Sequence, residues 1–306
     1  MKTSHSYILL ILLFLAPVLL TGCFTGIEST PRITARDVKR QRATVTPEMT
    51  YMDSITGSPV ADWQPGKRFV VTPGKISFAL SPIAVADALQ PGDTLYYAGR
   101  RAVPSMTGTD DTLLMLTTLA GDTLSYRIAT EPAATDTLRS LEIPFLIEGS
   151  IIDSADRLLT GNDYYITTPV WFNDADQNIT GRKLVKVHIT GVTGGNGNYP
   201  LAVHFTDDSG MRSKVFMSLG SGARATRNFD TLFSLTDPRR RFKDIKDDVW
   251  ECITLSTVKK EMTREECRLA LGNPREVVHG HYLERWTYDN GVSLIFDDGY
   301  LQQIRR

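Results

Sequence analysis

Between Trp63 and Leu219, hydrophobic and polar residues alternate in short runs separated by Gly, Pro, Asn and Asp. Alternation with a period of two is typical of strands that bury one face, and the Tyr, Val, Thr and Phe in these runs favour that role. The runs are GKRFVVT, DTLYYAG, DTLLMLTTL, DTLSYRI, DYYITT, KLVKVHIT, YPLAVHF and SKVFMSL. Helical periodicity is nearly absent here, apart from SPIAVADAL. The pattern therefore predicts a mainly β region.

The β region divides into two similar parts near the segment EIPFLIEG. Each part carries an aromatic pair after a glycine turn, in GDTLYYAG from Gly92 and in GNDYYITT from Gly161, and then continues into longer strands joined by a hairpin. This arrangement resembles bacterial SH3-like barrels, so we expect a first β unit over 51–142 and a second over 143–240. One larger β-sandwich is the alternative.

One hairpin, KLVKVHITGVTGGNGNYPLAVHF, turns around Asn196. Symmetric pairing about Asn196 places Val187 opposite Phe205 and His188 opposite His204. Two imidazoles across a strand pair are potential metal ligands, but a metal site takes three or four ligands. Since no third His or Cys lies nearby in the sequence, we predict two exposed histidines and no metal site.

A helix is expected to begin at Thr263, in the segment EMTREECRLALGNPREV. Thr263 is a suitable N-cap, and Glu266, three residues later, completes a capping box. Gly272 and Pro274 end the helix. The spacing of apolar residues predicts an earlier helix over about 246–258.

A small antiparallel sheet is expected to follow these helices. EVVH predicts a strand, and LERWTY, VSLIF and the last residues predict a meander. A turn at DNG pairs Trp286 with Leu294, and a turn at DDG pairs Phe296 with Tyr300. Residues 241–306 are thus predicted to form an ααβββ module, and the whole chain is predicted to be α+β and mainly β.

The terminal segment resembles the C-terminal half of the BamE-like (SmpA/OmlA) lipoprotein modules over residues 250–305. The resemblance is carried by Met262, Thr263, Glu266, Leu271, Gly272, Pro274, Trp286, Tyr288, Phe296, Asp298 and Gly299. That family usually has a glycine before the Met-Thr pair, where this chain has Glu261. Its members are small outer-membrane lipoproteins that bind other envelope proteins and help to assemble β-barrels. Because nearly every matched residue is a cap, a turn or a core position, the resemblance implies the fold and assigns no binding residue.

The N-terminus has the features of an export signal. One basic residue, Lys2, precedes an apolar run that ends at Leu20 and is too short to span a bilayer. The run closes in LTGC, which resembles the lipobox of bacterial lipoproteins and implies cleavage before Cys23 and acylation of Cys23. Acyl chains anchor a protein firmly to a membrane. We expect a signal peptide over 1–22 and an acylated, flexible tether over 23–50.

The residues after the lipobox indicate the destination. Aspartate after the acylated cysteine holds many lipoproteins in the inner membrane, and this chain has Phe24 instead. The following residues lack the acidic run that sends some lipoproteins to the cell surface, so we expect an outer-membrane protein that faces the periplasm. The 34 basic and 35 acidic residues nearly balance, which gives no indication of a nucleic-acid partner.

The triplet DTL occurs five times and has two explanations. It resembles the O-glycosylation site of some bacterial lineages, in which a Ser or Thr lies between Asp and a small or aliphatic residue. The triplet is also typical of a turn that closes at Asp and leads into a strand. The candidate acceptors are Thr94, Thr112, Thr123, Thr137 and Thr231.

Two cysteines, Cys252 and Cys267, lie near the middles of the two predicted helices. An oxidising periplasm allows a disulfide between them. Two buried free thiols are the alternative. Two thiols with no histidine between them do not make a metal site.

No stretch of the sequence carries a recognisable catalytic motif. The histidines have no zinc-protease spacing, no serine lies in a nucleophile elbow, and GGNGN has no helix behind it to bind phosphate. We therefore expect no catalytic residue, no metal and no cofactor, although triads scattered in sequence escape such a search.

Three functions remain open. The first is a non-catalytic lipoprotein that binds or scaffolds envelope proteins, including those of outer-membrane protein assembly. The second is a lipoprotein that binds cell-wall glycan or peptide, and the third is an unrecognised periplasmic hydrolase. The second would use exposed aromatic residues, for which the candidates are Tyr96, Tyr97, Tyr164, Tyr165 and Trp171.

Overall fold

Sixteen strands form three antiparallel sheets in the part of the chain that the computed structural model describes, residues 45–106, 108–219, 226–280 and 283–306. The fold is α+β and mainly β, as predicted. None of the helices in these residues has the length and apolar character that a bilayer span requires. The predicted signal peptide and Cys23 lie outside the described residues.

Seven short α-helices accompany the sheets in the described residues. They are α1 (Pro47–Thr50), α2 (Ile83–Ala88), α3 (Pro132–Thr135), α4 (Gly149–Leu159), α5 (Phe229–Leu232), α6 (Asp247–Thr254) and α7 (Arg264–Leu271). Helix α2 confirms the helical turn expected at SPIAVADAL. Helix α1 lies at the end of the predicted tether, where the Glu48 carboxylate accepts a hydrogen bond from the backbone N–H of Leu235.

The first sheet has five strands in the order β4-β3-β2-β1-β5. They are β1 (Arg68–Val71), β2 (Thr94–Val103), β3 (Asp111–Thr117), β4 (Thr123–Ile128) and β5 (Leu146–Glu148). Strand β5 lies beyond residue 142 and pairs with β1, with Val70 opposite Ile147. Phe69 and Val71 pack in the core of this sheet, whereas Val70 packs against the core of the second sheet. Strand β1 is therefore shared between two cores.

The second sheet has seven strands in the order β12-β6-β9-β10-β11-β7-β8. They are β6 (Asp163–Ile166), β7 (Val170–Phe172), β8 (Asn178–Thr180), β9 (Val185–Gly194), β10 (Leu201–Asp207), β11 (Arg212–Met217) and β12 (Phe233–Ser234). Helix α4 covers this sheet and buries Ile152, Ala155 and Leu159 in its core. The expectation that the region has almost no helical periodicity is wrong here, because the apolar residues of GSIIDSADRLL recur at helical spacing.

The pairing predicted for the β9–β10 hairpin is also wrong. Phe205 pairs with Ile189, not with Val187, and His188 lies opposite Thr206. The loop spans Gly195–Pro200 and so centres beyond Asn196, and the ladder contains a bulge next to Phe205. A bulge adds one residue to one strand and shifts every pair beyond it. His188 and His204 therefore do not face each other.

The third sheet and helices α6 and α7 form the terminal module. Its strands follow the order β13-β14-β15-β16. They are β13 (Glu276–His279), β14 (Leu283–Thr287), β15 (Ser293–Asp297) and β16 (Tyr300–Arg305). The capping box of α7 is confirmed, because the Thr263 hydroxyl accepts from the backbone N–H of Glu266 and the Glu266 carboxylate accepts from that of Thr263. EVVH forms a strand, as predicted, and it pairs with the first strand of the meander. The module therefore has two helices and four strands, one strand more than the predicted ααβββ order.

One of the two predicted pairs in this sheet is confirmed. Trp286 pairs with Leu294. Tyr300, however, pairs with Asp297, and Phe296 pairs with Leu301. Asp298 and Gly299 both have positive φ, at 44° and 87°, which makes a two-residue hairpin turn instead of the predicted three-residue one.

Candidate functional site

The terminal module is fixed to the second sheet by the loop between β8 and β9. In this loop the backbone N–H of Lys183 donates to the Thr254 carbonyl at the end of α6, at 2.9 Å. The Lys183 ammonium donates to the carbonyls of Leu269 and Ala270 in the last turn of α7, at 2.7 and 2.6 Å. The last carbonyls of a helix have no partner within the helix, and a cation there is favourable. Lys183 thus holds the ends of both helices.

Replacing Lys183 by methionine is expected to lower the free energy of unfolding by about 1–3 kcal/mol near pH 7, because two carbonyls lose their partner. Burial lowers the pKa of Lys183 to about 8, against 10.5 for a free side chain. Between pH 8 and pH 10.5 the lysine is protonated in the unfolded chain and deprotonated in the folded one. The free energy of unfolding of wild type therefore increases as the pH rises through this range. The neutral amine still donates to both carbonyls.

Urea unfolding of wild type and Lys183→Met at pH 7 and pH 10 tests this expectation, and Lys243→Met, at an exposed position, serves as the matched control. The difference in the free energy of unfolding between wild type and Lys183→Met should be larger at pH 10 than at pH 7. The control should not differ from wild type by more than about 0.5 kcal/mol at either pH. A difference that is absent, or that narrows at pH 10, would contradict the role of Lys183.

The open edge of the terminal sheet is the first candidate binding surface. Strand β13 lies at one edge, and all four of its residues are exposed. The opposite edge is partly covered, because Leu301 of β16 exchanges backbone hydrogen bonds with Glu261 and Met262. Val278 is 40% exposed and the adjoining Leu283 is 50% exposed. An exposed edge strand with apolar side chains is a template for pairing with another chain.

A groove beside β5 is the second candidate surface. Its volume is about 1160 Å³. It is lined by β5, by the preceding segment 140–145, by residues 55–57 and by parts of the β9–β10 loop and of the segment after β11. This volume exceeds the roughly 300–1,000 Å³ of a typical small-molecule pocket.

A buried ion pair lies at one wall of this groove. The ammonium of Lys67 is 2.6 Å from Oε2 of Glu148, and the two side chains are only 14% and 5% exposed. Ser58 adds its backbone N–H at 3.2 Å from the same oxygen, and its Oγ lies 2.6 Å from the Lys67 ammonium. The aromatic rings of Trp63 and Phe69 lie 5.2 and 5.7 Å from that ammonium.

The contact between Ser58 and Lys67 has the composition of a Ser–Lys dyad, but its surroundings do not suit catalysis. A lysine that activates a serine must accept the proton of its hydroxyl, whereas Lys67 donates to Ser58 Oγ and to Glu148 Oε2, both at 2.6 Å. In addition, neither Ser58 nor Lys67 is among the described residues that line the groove. The cluster therefore stabilises the fold and shapes the wall of the groove.

The two histidines that were predicted to be exposed have separate partners. His188 is exposed, as predicted, but His204 is half-buried because it lies on the central strand β10. His188 contacts the Asp163 carboxylate at 2.8 Å, and His204 contacts the Thr193 hydroxyl at 2.9 Å. Within the described residues, no group of three or more His, Cys, Asp or Glu side chains is arranged to hold a metal ion.

The candidate aromatic residues are divided by strand alternation. Tyr97, Tyr164 and Trp171 are buried in the cores of the first two sheets. Tyr96 and Tyr165 are half-buried on the opposite faces of β2 and β6. Of these five candidates, Tyr96 and Tyr165 alone present surface to a glycan, and they belong to different sheets.

The candidate threonines also differ in exposure. Thr112 is fully buried, and its hydroxyl donates to the Thr130 carbonyl at 2.8 Å, so a sugar on it would require the fold to open. Thr94 is half-buried and begins β2. The exposed members of the set are Thr123, Thr137 and Thr231.

The two cysteines are free thiols in the structure, on helices that pack together. Cys267 is fully buried, and burial raises its pKa to about 12, which keeps it protonated at neutral pH. Cys252 is half-buried.

The sequence did not identify three residues that hold the site together, namely Lys67, Glu148 and Lys183. Glu148 carries the one available signal, because it lies inside the apolar run FLIEGSII and an acidic residue in such a run indicates a buried partner. Lys67 and Lys183 precede strands and are not distinguished from surface lysines by sequence. No protein-family profile, curated protein or solved structure matches the chain.

Proposed function

We propose that the protein is a non-catalytic lipoprotein, acylated at Cys23 and held in the outer membrane with its folded part in the periplasm, that binds other envelope proteins. The observation that carries this proposal is the open edge strand β13 on a terminal module that Lys183 joins to the second sheet. A fixed module with a free strand edge is suited to docking a partner without large conformational change. The BamE-like resemblance of residues 250–305 agrees with it.

The organisation of the β region is part of the same proposal. Two sheets, each with its own hydrophobic cluster, favour two SH3-like units over one β-sandwich. In this interpretation the β units form a support for the terminal module.

Replacing Val278 by lysine is expected to abolish capture of partner proteins while leaving the fold intact. A lysine on an edge strand opposes the addition of another strand, and substitution at an exposed position changes stability by no more than about 0.5 kcal/mol. The measurement is affinity capture of the acylated protein from detergent-solubilised outer membrane, followed by mass spectrometry.

The matched control is Leu119→Lys, which changes an exposed residue in the turn between β3 and β4. β-Barrel assembly proteins should accompany wild type and the control and be absent with Val278→Lys. Equal capture by all three proteins, or no protein enriched over an unrelated lipoprotein, would rule out docking through β13.

A further inference from the structure

Positive charge is concentrated in the segment that joins β12 to α6. Residues 238–246, PRRRFKDIK, form a basic loop with five basic residues and one acidic residue, Asp244. The whole chain, by contrast, has 34 basic and 35 acidic residues, which nearly cancel. A local excess of this kind on a nearly neutral protein indicates an anionic ligand, and the docking of β13 makes no use of it.

Arg239 folds the basic loop into a compact shape. Its guanidinium donates to the carbonyls of Phe242 and Ile245, at 3.1 and 2.6 Å, and to the carboxylate of Asp247, at 2.7 Å. The same guanidinium lies 4.9 Å from the ring of Trp250. Because Arg239 closes the loop on itself, the backbone that carries the other basic residues needs little ordering when a ligand binds.

The other four basic residues of the loop are exposed and have no ion pair with any residue that the structure describes. They are Arg240, Arg241, Lys243 and Lys246. The two acidic residues that follow the loop are already paired, Asp247 with Arg239 and Asp248 with Lys259. Asp244 alone opposes the four free cations within the loop, so the surface of the loop is positive.

The chain enters its folded part beside this loop. On helix α1, the Glu48 carboxylate accepts from the backbone N–H of Leu235 at 3.2 Å. The ring of Tyr51, which follows α1, stacks on the ring of Phe229 in α5 with a centroid separation of 4.5 Å. Leu235 precedes Arg240 by five residues, which span at most about 18 Å. The basic loop therefore lies near the point at which the proposed tether joins the fold.

The length of the tether limits how far the loop can lie from a bilayer. The stretch from Cys23 to Val45, about 20 residues, spans roughly 25 Å on average as a flexible chain. Basic side chains near a bilayer are attracted by anionic headgroups, and each Lys or Arg strengthens binding roughly fivefold. The tether favours the membrane over a soluble acidic partner, since the bilayer is held permanently within reach of the loop.

We infer that the basic loop docks on the anionic phospholipid headgroups of the membrane to which the chain is anchored. The lipid phosphates accept charge-assisted hydrogen bonds from the four exposed cations. Docking orients the folded part on the bilayer, whereas the lipid anchor alone limits only its distance. The inference rests on the proposed function only for the acylated tether, and it concerns a different surface from β13, so either can fail without the other.

The test is flotation of the full mature chain with lipid vesicles in a density gradient. Cys23→Ser leaves the chain unacylated, so that binding depends on the protein surface alone. This unacylated chain should float with vesicles made of equal parts of phosphatidylethanolamine and phosphatidylglycerol and should not float with vesicles of phosphatidylcholine. NaCl at about 0.5 M, which shortens the screening length to roughly 4 Å, should release it.

A fourfold variant of the unacylated chain locates the binding. It replaces the four exposed basic residues of the loop by glutamine, and it should lower the partition coefficient on anionic vesicles at least about tenfold. The matched control removes the same charge from exposed arginines at four separate places, and it should lower the coefficient less than about threefold. The control positions are Arg101, Arg139, Arg157 and Arg285. Circular dichroism and the Tm of each variant confirm folding.

Hydrogen exchange of the unacylated chain adds a measurement that needs no substitution in the loop. Anionic vesicles should slow amide exchange in residues 238–246 and leave β13 unchanged. The inference is overturned if the fourfold variant floats as the unacylated chain does, if the control loses as much binding, if phosphatidylcholine binds equally well, or if exchange in the loop is unaffected. None of these outcomes bears on protein capture through β13, which Val278→Lys tests.

Discussion

Replacing Lys67 by methionine is expected to lower the free energy of unfolding by about 3–5 kcal/mol. The substitution leaves the carboxylate of Glu148 buried, without the ammonium that now lies 2.6 Å away. The two serine hydroxyls and the Ser58 N–H that also contact Oε2 carry no positive charge to replace it. Urea denaturation followed by circular dichroism measures the loss.

The double variant Lys67→Met/Glu148→Gln separates the cost of the unpaired charge from the cost of lost packing. Glutamine keeps an oxygen for the Ser58 N–H and removes the charge, so the double variant should recover most of the stability. Arg68→Met is the matched control, because its ion pair with Asp153 is about half exposed and worth at most about 1 kcal/mol. If Lys67→Met costs no more than Arg68→Met, the buried pair is not important for stability.

Replacing Trp286 by alanine is expected to destabilise the terminal module by about 3–5 kcal/mol. Trp286 is fully buried, and its ring lies 4.7 Å from that of Phe296 and 4.9 Å from the guanidinium of Arg268. Its indole N–H donates to Glu284. Removing it leaves a cavity between α7 and the sheet and an acceptor without its donor. Hydrogen exchange, read by mass spectrometry, localises the effect.

Exchange should rise throughout 247–305 and remain unchanged in β2 and β3, which lie in another core. Tyr300→Ala, at a position 48% exposed on the same sheet, is the control and should cost less than about 1 kcal/mol. Unchanged exchange in the terminal module of Trp286→Ala would show that Trp286 does not hold α7 on the sheet.

The parts of this fold that could be predicted from sequence are those fixed by neighbours in the chain. The capping box at Thr263 and Glu266 needs only a spacing of three residues, and the strands of the β region follow from local alternation. Helix α4 was missed because Gly149, Ser150 and Asp153 suggest a turn, and its stability depends on the apolar face that it packs on the second sheet.

Strand register and long-range contacts could not be predicted from residues that are neighbours in the sequence. The bulge in the β9–β10 ladder and the two-residue turn at Asp298 and Gly299 each shift a register without changing the alternation that predicts strands. The contacts of Lys183 with α7 and of Lys67 with Glu148 join residues more than eighty positions apart. The candidate groove depends on such contacts, so no short pattern in the sequence indicates it.

The sharing of strand β1 between two cores has a consequence for the resistance of the protein to proteolysis. Since Phe69 and Val71 belong to one core and Val70 packs against the other, opening of the first sheet at β1 also removes a side chain that packs against the second core. Partial opening is the state that proteases attack, and its population falls as its free energy approaches that of global unfolding. Two cores joined in this way are expected to resist proteolysis more strongly than two independent domains connected by a flexible linker.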